Sequence, residues 1–262
     1  MASIIRYIYG KKRGLGKTSL NTAFAIWEMR DKQNYENGLA EIKILESEMG
    51  RTFKRPTQPH FVYSDYEIQD NGKYSKGLST YPFNPFRFKL PNNKSRYDIF
   101  PPGSFFHINE AQTKYNSRKF KKFAMEVSGA YEGSRHPGFT LTLDGLGLTS
   151  IDSKIRDIVD EFILVKKMEH EFIYNRIVKT IWTCLFFNDI ESAEKYEQTK
   201  DDSLGELVTY TYDFGCIFDN YNQRGNKKAF YRGAEKKDFE YKTWDEIDDS
   251  FMLQEEDFLD TG

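Results

Sequence analysis

The stretch Tyr7-Ile-Tyr-Gly-Lys-Lys-Arg-Gly-Leu-Gly-Lys-Thr-Ser-Leu20 decides the fold class of this sequence. The apolar run from Ile4 to Tyr9 is typical of a short buried strand, and it ends in a Gly- and Lys-rich loop that closes with Gly16-Lys17-Thr18. A strand, such a loop and a helix in this order form a phosphate-binding loop. Glycines let backbone N–H groups turn toward an anion, and the helix directs its positive end at the same point.

The residues of this loop have separate expected roles. Lys17 can neutralise phosphate oxygens, and the Thr18 hydroxyl can ligate Mg²⁺. In the usual pattern, four residues separate the first glycine of the loop from Gly-Lys-Thr. Gly10 is one residue further away, so we expect Gly14 to supply the backbone flexibility that the loop needs. The alternative is a strand-turn-helix rich in Gly and Lys by chance. The predicted nucleotide-binding residues are Gly14, Leu15, Gly16, Lys17, Thr18 and Ser19.

Composition indicates one sizeable domain. The chain has 262 residues, of which 39% are hydrophobic and 16% aromatic, so it can bury an ample core. No apolar run reaches the roughly 18 residues of a membrane span, and the start lacks a secretory pattern. We therefore expect a soluble, cytoplasmic protein without a membrane span.

The net charge of −2 is distributed unevenly. Residues 244–262 contain eight acids and no Lys or Arg, which leaves 38 basic and 32 acidic side chains, a net charge of +6, in residues 1–243. We expect residues 1–243 to form the ATPase domain, with an irregular insertion or arm at 70–102, and 244–262 to form an acidic tail. The tail is expected either to be disordered or to dock on the basic body.

The hydrophobic pattern indicates an α/β fold with a largely parallel central sheet, flanking helices and antiparallel strands added toward the C-terminal side. The predicted helices are 19–30, 35–49, 115–131 and 148–162. The predicted strands are 4–9, 60–64, 105–110, 139–143 and 162–166, two antiparallel strands within 171–187, and a last strand or docking segment at 214–221.

A second candidate motif follows the strand that begins at Phe105. Asn109 and Glu110 come at the carboxyl end of this apolar run, where an ATPase places an Asp that orients magnesium and a Glu that polarises water. Asn109 keeps an acceptor oxygen but lacks the charge, so a weaker, indirect contact with the metal is expected. The alternative is an ordinary solvated strand end.

The segment from Arg118 to Phe123 is the densest basic patch of the chain. Basic and aromatic side chains together can bind nucleic-acid phosphates and stack on bases. Alternatively, the two Phe residues face the core and the Lys residues are simply solvated. The candidate DNA-binding residues are Arg118, Lys119, Lys121 and Lys122.

Taken together, five ordered segments resemble the zonula occludens toxin-like (Zot) ATPases of filamentous phage assembly, which belong to the FtsK/HerA group of DNA-pumping P-loop enzymes. The similarity covers most of residues 1–167. Its segments are Tyr9 to Thr18, Val62 to Ile68, Phe106 to Gln112, Ser134 to Phe139, and Ile151 to Arg156 followed by Val159 to Lys167.

The resemblance implies that Lys17 and Thr18 hold ATP and Mg²⁺ and that Glu110 activates water. It also implies that Arg135 completes the site of a neighbouring subunit in a ring; the alternative is a surface Arg in a turn. This chain departs from the family at Asn109, where Asp is expected, and at Leu146, where a polar sensor is expected. Asp144 could serve as the sensor if the loop is rearranged.

The function expected from these observations is an ATP-driven DNA translocase, acting as an oligomeric ring in viral genome packaging or virion assembly. Its expected partners are DNA, further copies of the chain and viral capsid or portal-like proteins. One alternative is a nucleotide-binding scaffold protein whose catalysis has decayed, since Asn109 and Leu146 depart from the family. A weaker alternative is a small-molecule or nucleotide kinase, because kinases share the loop.

Overall fold

The computed structural model of the protein describes residues 4–50, 61–70, 78–83, 104–115 and 138–222. Within these residues, eight strands form one sheet and two form a separate small sheet. The strands are β1 (Ile5–Tyr9), β2 (Val62–Ser64), β3 (Glu67–Ile68), β4 (Tyr81–Pro82), β5 (Phe105–Ile108), β6 (Thr140–Gly145), β7 (Glu161–Ile173), β8 (Arg176–Phe187), β9 (Glu206–Tyr212) and β10 (Tyr221–Asn222).

The large sheet has the order β4-β2-β5-β6-β1-β7-β8-β9. Pairing is parallel from β4 through to β7, and antiparallel between β7 and β8 and between β8 and β9. The small sheet pairs β3 with β10. The predicted α/β class, with a largely parallel sheet and antiparallel additions at the C-terminal side, is therefore confirmed.

The described helices are α1 (Lys17–Met49), α2 (Ala111–Lys114), α3 (Ser153–Arg156) and α4 (Ile190–Thr199), with 3-10 turns at Leu148–Ser150, Asp202–Leu204 and Ile217–Asn220. The prediction of two helices at 19–30 and 35–49 is wrong, because α1 is continuous over 33 residues. Residues 31–34 contain neither Pro nor Gly, so nothing local interrupts the helix. As predicted, α1 ends before Gly50, whose φ of 61° is left-handed.

Other predicted elements differ in length. The predicted helix at 148–162 is reduced to a 3-10 turn and α3, because the chain enters β7 at Glu161. The predicted strand at 162–166 is the first part of the 13-residue β7, which pairs with β8 in a long hairpin. At 214–221 the chain forms mainly a 3-10 turn, while α4 and β9 were not predicted. Most of the predicted helix 115–131 lies outside the described residues.

The core lies on both faces of the large sheet. Side chains alternate along a strand, so Tyr7 and Tyr9 of β1 lie in a cluster with Ile155 of α3 and Ala193 of α4. On the opposite face, Ile8 lies in a cluster with residues of α1 that include Leu20 and Ile26. Helices therefore cover the sheet from two sides.

The strand order brings three carboxyl ends together. The strands β5, β6 and β1 are parallel neighbours, so the chain leaves all three at the same edge of the sheet.

In the part of the chain that the structure describes, no helix combines the length and apolar character needed to cross a membrane.

Candidate nucleotide-binding site

The loop between β1 and α1 has the backbone geometry of a phosphate-binding loop. Gly14 and Gly16 both have a φ of 80°, which is left-handed and favours glycine. Gly16 is the N-cap of α1, so the first amides of the helix, which have no intrahelical partner, face the mouth of the loop. A Cβ atom on Gly14 would meet nothing within 4 Å, so the space beside Gly14 is open.

The base of the loop rests on the β7–β8 hairpin. The indole Nε1 of Trp182 donates a hydrogen bond of 3.1 Å to the Gly16 carbonyl. The Ser19 hydroxyl donates to the same carbonyl at 2.8 Å, and Leu15 packs against the hydrophobic cluster on the α1 face. Of the predicted nucleotide-binding residues, the side chains of Leu15 and Ser19 therefore hold the loop itself in place.

The Lys17 side chain folds over the loop and bonds to its backbone. Its side-chain amine donates a hydrogen bond of 3.0 Å to the carbonyl oxygen of Lys12. The residue is almost fully buried. Burial lowers the pKa of Lys17, and the nearby Asp144 carboxylate opposes this effect. A buried ammonium with one carbonyl partner gains strongly from an anionic ligand, because phosphate oxygens would replace the water that the amine has lost.

The Thr18 hydroxyl lies between two oxygen acceptors. It is 3.0 Å from Oδ1 of Asn109 and 3.5 Å from Oδ1 of Asp144. Hydroxyl, amide and carboxylate oxygens are the donor types that Mg²⁺ prefers. Among the described residues there is no group of three or more His, Cys, Asp or Glu side chains that could hold a metal. A site of this composition suits a magnesium ion that arrives with the phosphates and takes most of its ligands from them and from water.

Asp144 is the central carboxylate of the site. It is fully buried near the end of β6, on the sheet face covered by α1. Its Oδ1 accepts a hydrogen bond of 3.0 Å from the Glu110 amide, and its Oδ2 accepts one of 3.1 Å from Nδ2 of Asn21. Burial raises the pKa of Asp144, while these two hydrogen bonds and the nearby Lys114 and Lys17 ammonium groups lower it. Burial is the largest effect, so the pKa of Asp144 is raised overall. Each of its hydrogen-bond partners acts as a donor, an arrangement that favours the carboxylate form and opposes this rise.

Glu110 has a conformation that is uncommon for its residue type. Its φ of 50° and ψ of 51° are left-handed, a region that costs an ordinary L-residue about 1–2 kcal/mol. The strain is held by its amide bond to Asp144 and by the amide and hydroxyl of Thr113, which donate to the Glu110 carbonyl at 2.8 Å each. The backbone contacts thus hold Glu110 next to Asn109 at the carboxyl end of β5, with its side chain exposed to solvent.

Asn109 is fixed through its backbone. Its amide donates 2.8 Å to Oδ1 of Asp65, which follows β2. Lys114 of α2 forms a buried ion pair with Asp65 and donates a hydrogen bond to the Asn109 carbonyl. Asp65 and Lys114 were not among the predicted site residues. The only available signal was a polar residue directly after a predicted strand, which is common at any strand end.

A buried hydrogen-bonded chain leads away from Asp144. Oδ1 of Asn21 lies 2.8 Å from Nδ1 of His107, and Nε2 of His107 contacts a carboxylate oxygen of Glu28. Because the Asn21 amide donates to Asp144, its oxygen must accept, and Nδ1 of His107 therefore carries a proton. Asn21 is thus oriented from both ends, and it holds the Asp144 carboxylate in a single position.

Leu146 does not enter the site as a sensor. It is exposed, two residues beyond Asp144. The predicted rearrangement is unnecessary, because Asp144 reaches the site from within β6 itself. Several predicted residues lie outside the described part of the chain: Arg118, Lys119, Lys121, Lys122, Arg135, the tail 244–262 and most of the segment 70–102.

Structural comparison finds solved proteins that match most of this chain at low similarity. The N-terminal domain of zonular occludens toxin from Neisseria meningitidis has 16% sequence identity and a TM-score of 0.48, covering 85% of this chain and 100% of that chain. The DNA-packaging ATPase from Sulfolobus turreted icosahedral virus has 14% identity and a TM-score of 0.35, covering 80% and 98%. The genome packaging NTPase from Sulfolobus turreted icosahedral virus 2, in complex with AMPPCP, has 12% identity and a TM-score of 0.39, covering 79% and 96%.

The sequence matches no protein-family model and no curated protein. The chemistry of the site is therefore argued from its own residues.

Proposed function

We propose that this protein binds ATP with magnesium at the loop 10–18 and hydrolyses it to move DNA, as an oligomeric ring in viral genome packaging or virion assembly. The observation that carries the nucleotide part is the convergence of Lys17, Thr18, Asn109, Glu110 and Asp144 at the adjacent carboxyl ends of β1, β5 and β6. These residues supply a cation for phosphate, oxygen ligands for a metal and a carboxylate for water.

The roles of the residues follow from their positions. The loop amides and Lys17 bind the triphosphate, with Lys17 exchanging the Lys12 carbonyl for phosphate oxygens. Thr18 and its two acceptors provide the magnesium site, and the metal when bound neutralises charge that develops on the phosphates. Glu110 accepts a proton from the attacking water.

The DNA and ring parts of the proposal are supported by the sequence. The five ordered segments resemble DNA-pumping enzymes, and residues 118–122 carry four basic side chains that would contact DNA phosphates. Arg135 is the residue proposed to reach the site of the adjacent subunit, where an arginine stabilises transition-state charge.

The test is ATP hydrolysis by the purified protein with and without DNA. We expect DNA to stimulate hydrolysis and Lys17→Ala to abolish it, with nucleotide affinity reduced at least about 30-fold because a desolvated cation–phosphate contact is lost. Lys43→Ala, which removes an exposed lysine further along α1, is the matched control and should change neither property. Robust hydrolysis that is indifferent to DNA would contradict a motor.

The presence of Asn109 also favours a second candidate, a nucleotide-binding scaffold protein with decayed catalysis. Such a protein would bind ATP with negligible turnover. The variant Asn109→Asp separates the two: a large gain in turnover indicates decay, whereas unchanged turnover indicates a site adapted to Asn.

A further inference from the structure

In the proposed magnesium site, the uncharged acceptor of the Thr18 hydroxyl and the negatively charged carboxylate belong to two different strands. Asn109, at the end of β5, accepts the Thr18 hydroxyl at 3.0 Å, which an amide oxygen does as well as a carboxylate oxygen. It carries no charge. A carboxylate oxygen, Oδ1 of Asp144 on the adjacent strand β6, lies 3.5 Å from the Thr18 hydroxyl.

The placement of Asp144 follows from the sheet. Because β6 pairs in parallel with both β1 and β5, its end lies between the phosphate loop and Asn109. Ile8 of β1 is opposite Asp144, and residues 142 and 144 of β6 share the face that α1 covers. A carboxylate at this position therefore points toward the first turn of α1, where Thr18 and Asn21 receive it.

Hydrogen bonds fix the position of the Asp144 carboxylate. Glu110 and Asn21 each donate one hydrogen bond to it, and Asn21 is locked in turn by His107. A buried carboxylate of this kind is costly unless cations or further donors approach. The ammonium groups of Lys17 and Lys114 contribute in that direction, and a divalent cation beside Thr18 would contribute more.

On this basis, and resting on the proposed function, we infer that Asp144 supplies the carboxylate that orients magnesium, while Asn109 supplies only the acceptor that orients Thr18. The carboxylate that orients magnesium is thus at the end of β6 and not at the end of β5. Asn109 then belongs to a complete magnesium site and is not a sign of lost catalysis. Asp144 acts as a metal-orienting residue through the oxygen atoms around the ion.

The inference can be tested by exchanging the two side chains. The affinity of the full chain for a fluorescent ATP analogue, mant-ATP, is measured in excess Mg²⁺ and in excess EDTA, and the ratio of the two affinities reports the metal contribution without any hydrolysis. For Asp144→Asn we expect this ratio to fall by about tenfold or more, as is typical when an outer partner of a metal is lost. Affinity in EDTA should change much less.

The double variant N109D/D144N is measured beside Asp144→Asn. It restores one carboxylate beside Thr18 on the opposite strand, so we expect the magnesium dependence to recover most of its wild-type value. N109D alone should keep the dependence. The amide in Asp144→Asn cannot accept from both Glu110 and Asn21, and the double variant shares this amide. Thermal unfolding is therefore measured for both variants, and binding is compared at a temperature below both transitions, where a change in magnesium dependence is separate from a loss of folding stability.

The outcomes separate this inference from the proposed function. A folded D144N with wild-type magnesium dependence overturns the role of Asp144 but leaves nucleotide binding intact. A folded double variant without magnesium dependence also overturns it. Wild-type protein that binds mant-ATP in neither solution overturns the proposed function itself.

Discussion

Substitution of Gly16 by Ala tests whether the phosphate loop is held by the β7–β8 hairpin. A Cβ atom at Gly16 would lie 2.2 Å from Sδ of Met168, 2.7 Å from Nε1 of Trp182 and 2.9 Å from Oγ of Ser19. Separations under 3.0 Å require some atom to move. Met168 is flexible and can give way, but the Trp182 ring is fully buried and its indole N–H is bonded to Gly16 itself.

Two effects add in this variant. An Ala at a φ of 80° costs about 1–2 kcal/mol, because left-handed backbone brings Cβ close to the following carbonyl. The overlap with Trp182 costs a further ~1–3 kcal/mol, which is typical of an extra methyl group in a packed site. The total of about 2–5 kcal/mol is a large fraction of the stability of an ordinary domain.

Gly14→Ala is the matched control. Gly14 has the same φ of 80°, but a Cβ there meets nothing within 4 Å. It therefore carries the backbone cost of about 1–2 kcal/mol without the overlap.

The assay is thermal or urea unfolding of the two variants beside the wild type. For a chain of this size, the extra ~1–3 kcal/mol in Gly16→Ala should lower Tm by about 2–12 °C relative to Gly14→Ala. Equal stability of the two variants, within about 0.5 kcal/mol, would refute the reasoning, because the hairpin would then not restrain the loop.

Two further predictions concern the buried network and the strained glutamate. Asn21→Ala removes a hydrogen-bond partner of both Asp144 and His107. Because these buried groups lose hydrogen bonds, we expect the free energy of unfolding, measured by urea titration, to fall by about 2–4 kcal/mol. A loss under about 0.5 kcal/mol would contradict this network. Glu110→Asn should abolish hydrolysis yet raise Tm, because Asn tolerates left-handed backbone better and relieves up to ~1 kcal/mol of strain. A lower Tm together with lost hydrolysis would show that the conformation of Glu110 is not strained.

Several parts of the fold and the site were predictable from short stretches of sequence. The strand, Gly-rich loop and helix at 4–30 occur as predicted, because β1, the left-handed glycines and the start of α1 depend on neighbouring residues. Asn109 and Glu110 were also predictable at a strand end, since an apolar run followed by polar residues marks that boundary. Element lengths were less predictable. Helix α1 runs past residue 30 because residues 31–34 contain neither Pro nor Gly, and β7 exceeds its apolar part because β8 pairs with it.

The sequence by itself thus determined that a strand, a Gly-rich loop and a helix follow one another and that Asn109 and Glu110 follow a later strand, since helix and strand geometry is set over a few residues. Only the tertiary structure decided which distant groups complete the site. Sheet order places β6 between β1 and β5, which brings Asp144 to Thr18 across 126 positions of sequence, and the hairpin brings Trp182 to Gly16 across 166. No short stretch of sequence contains that information, because strand order is chosen by the packing of the whole sheet.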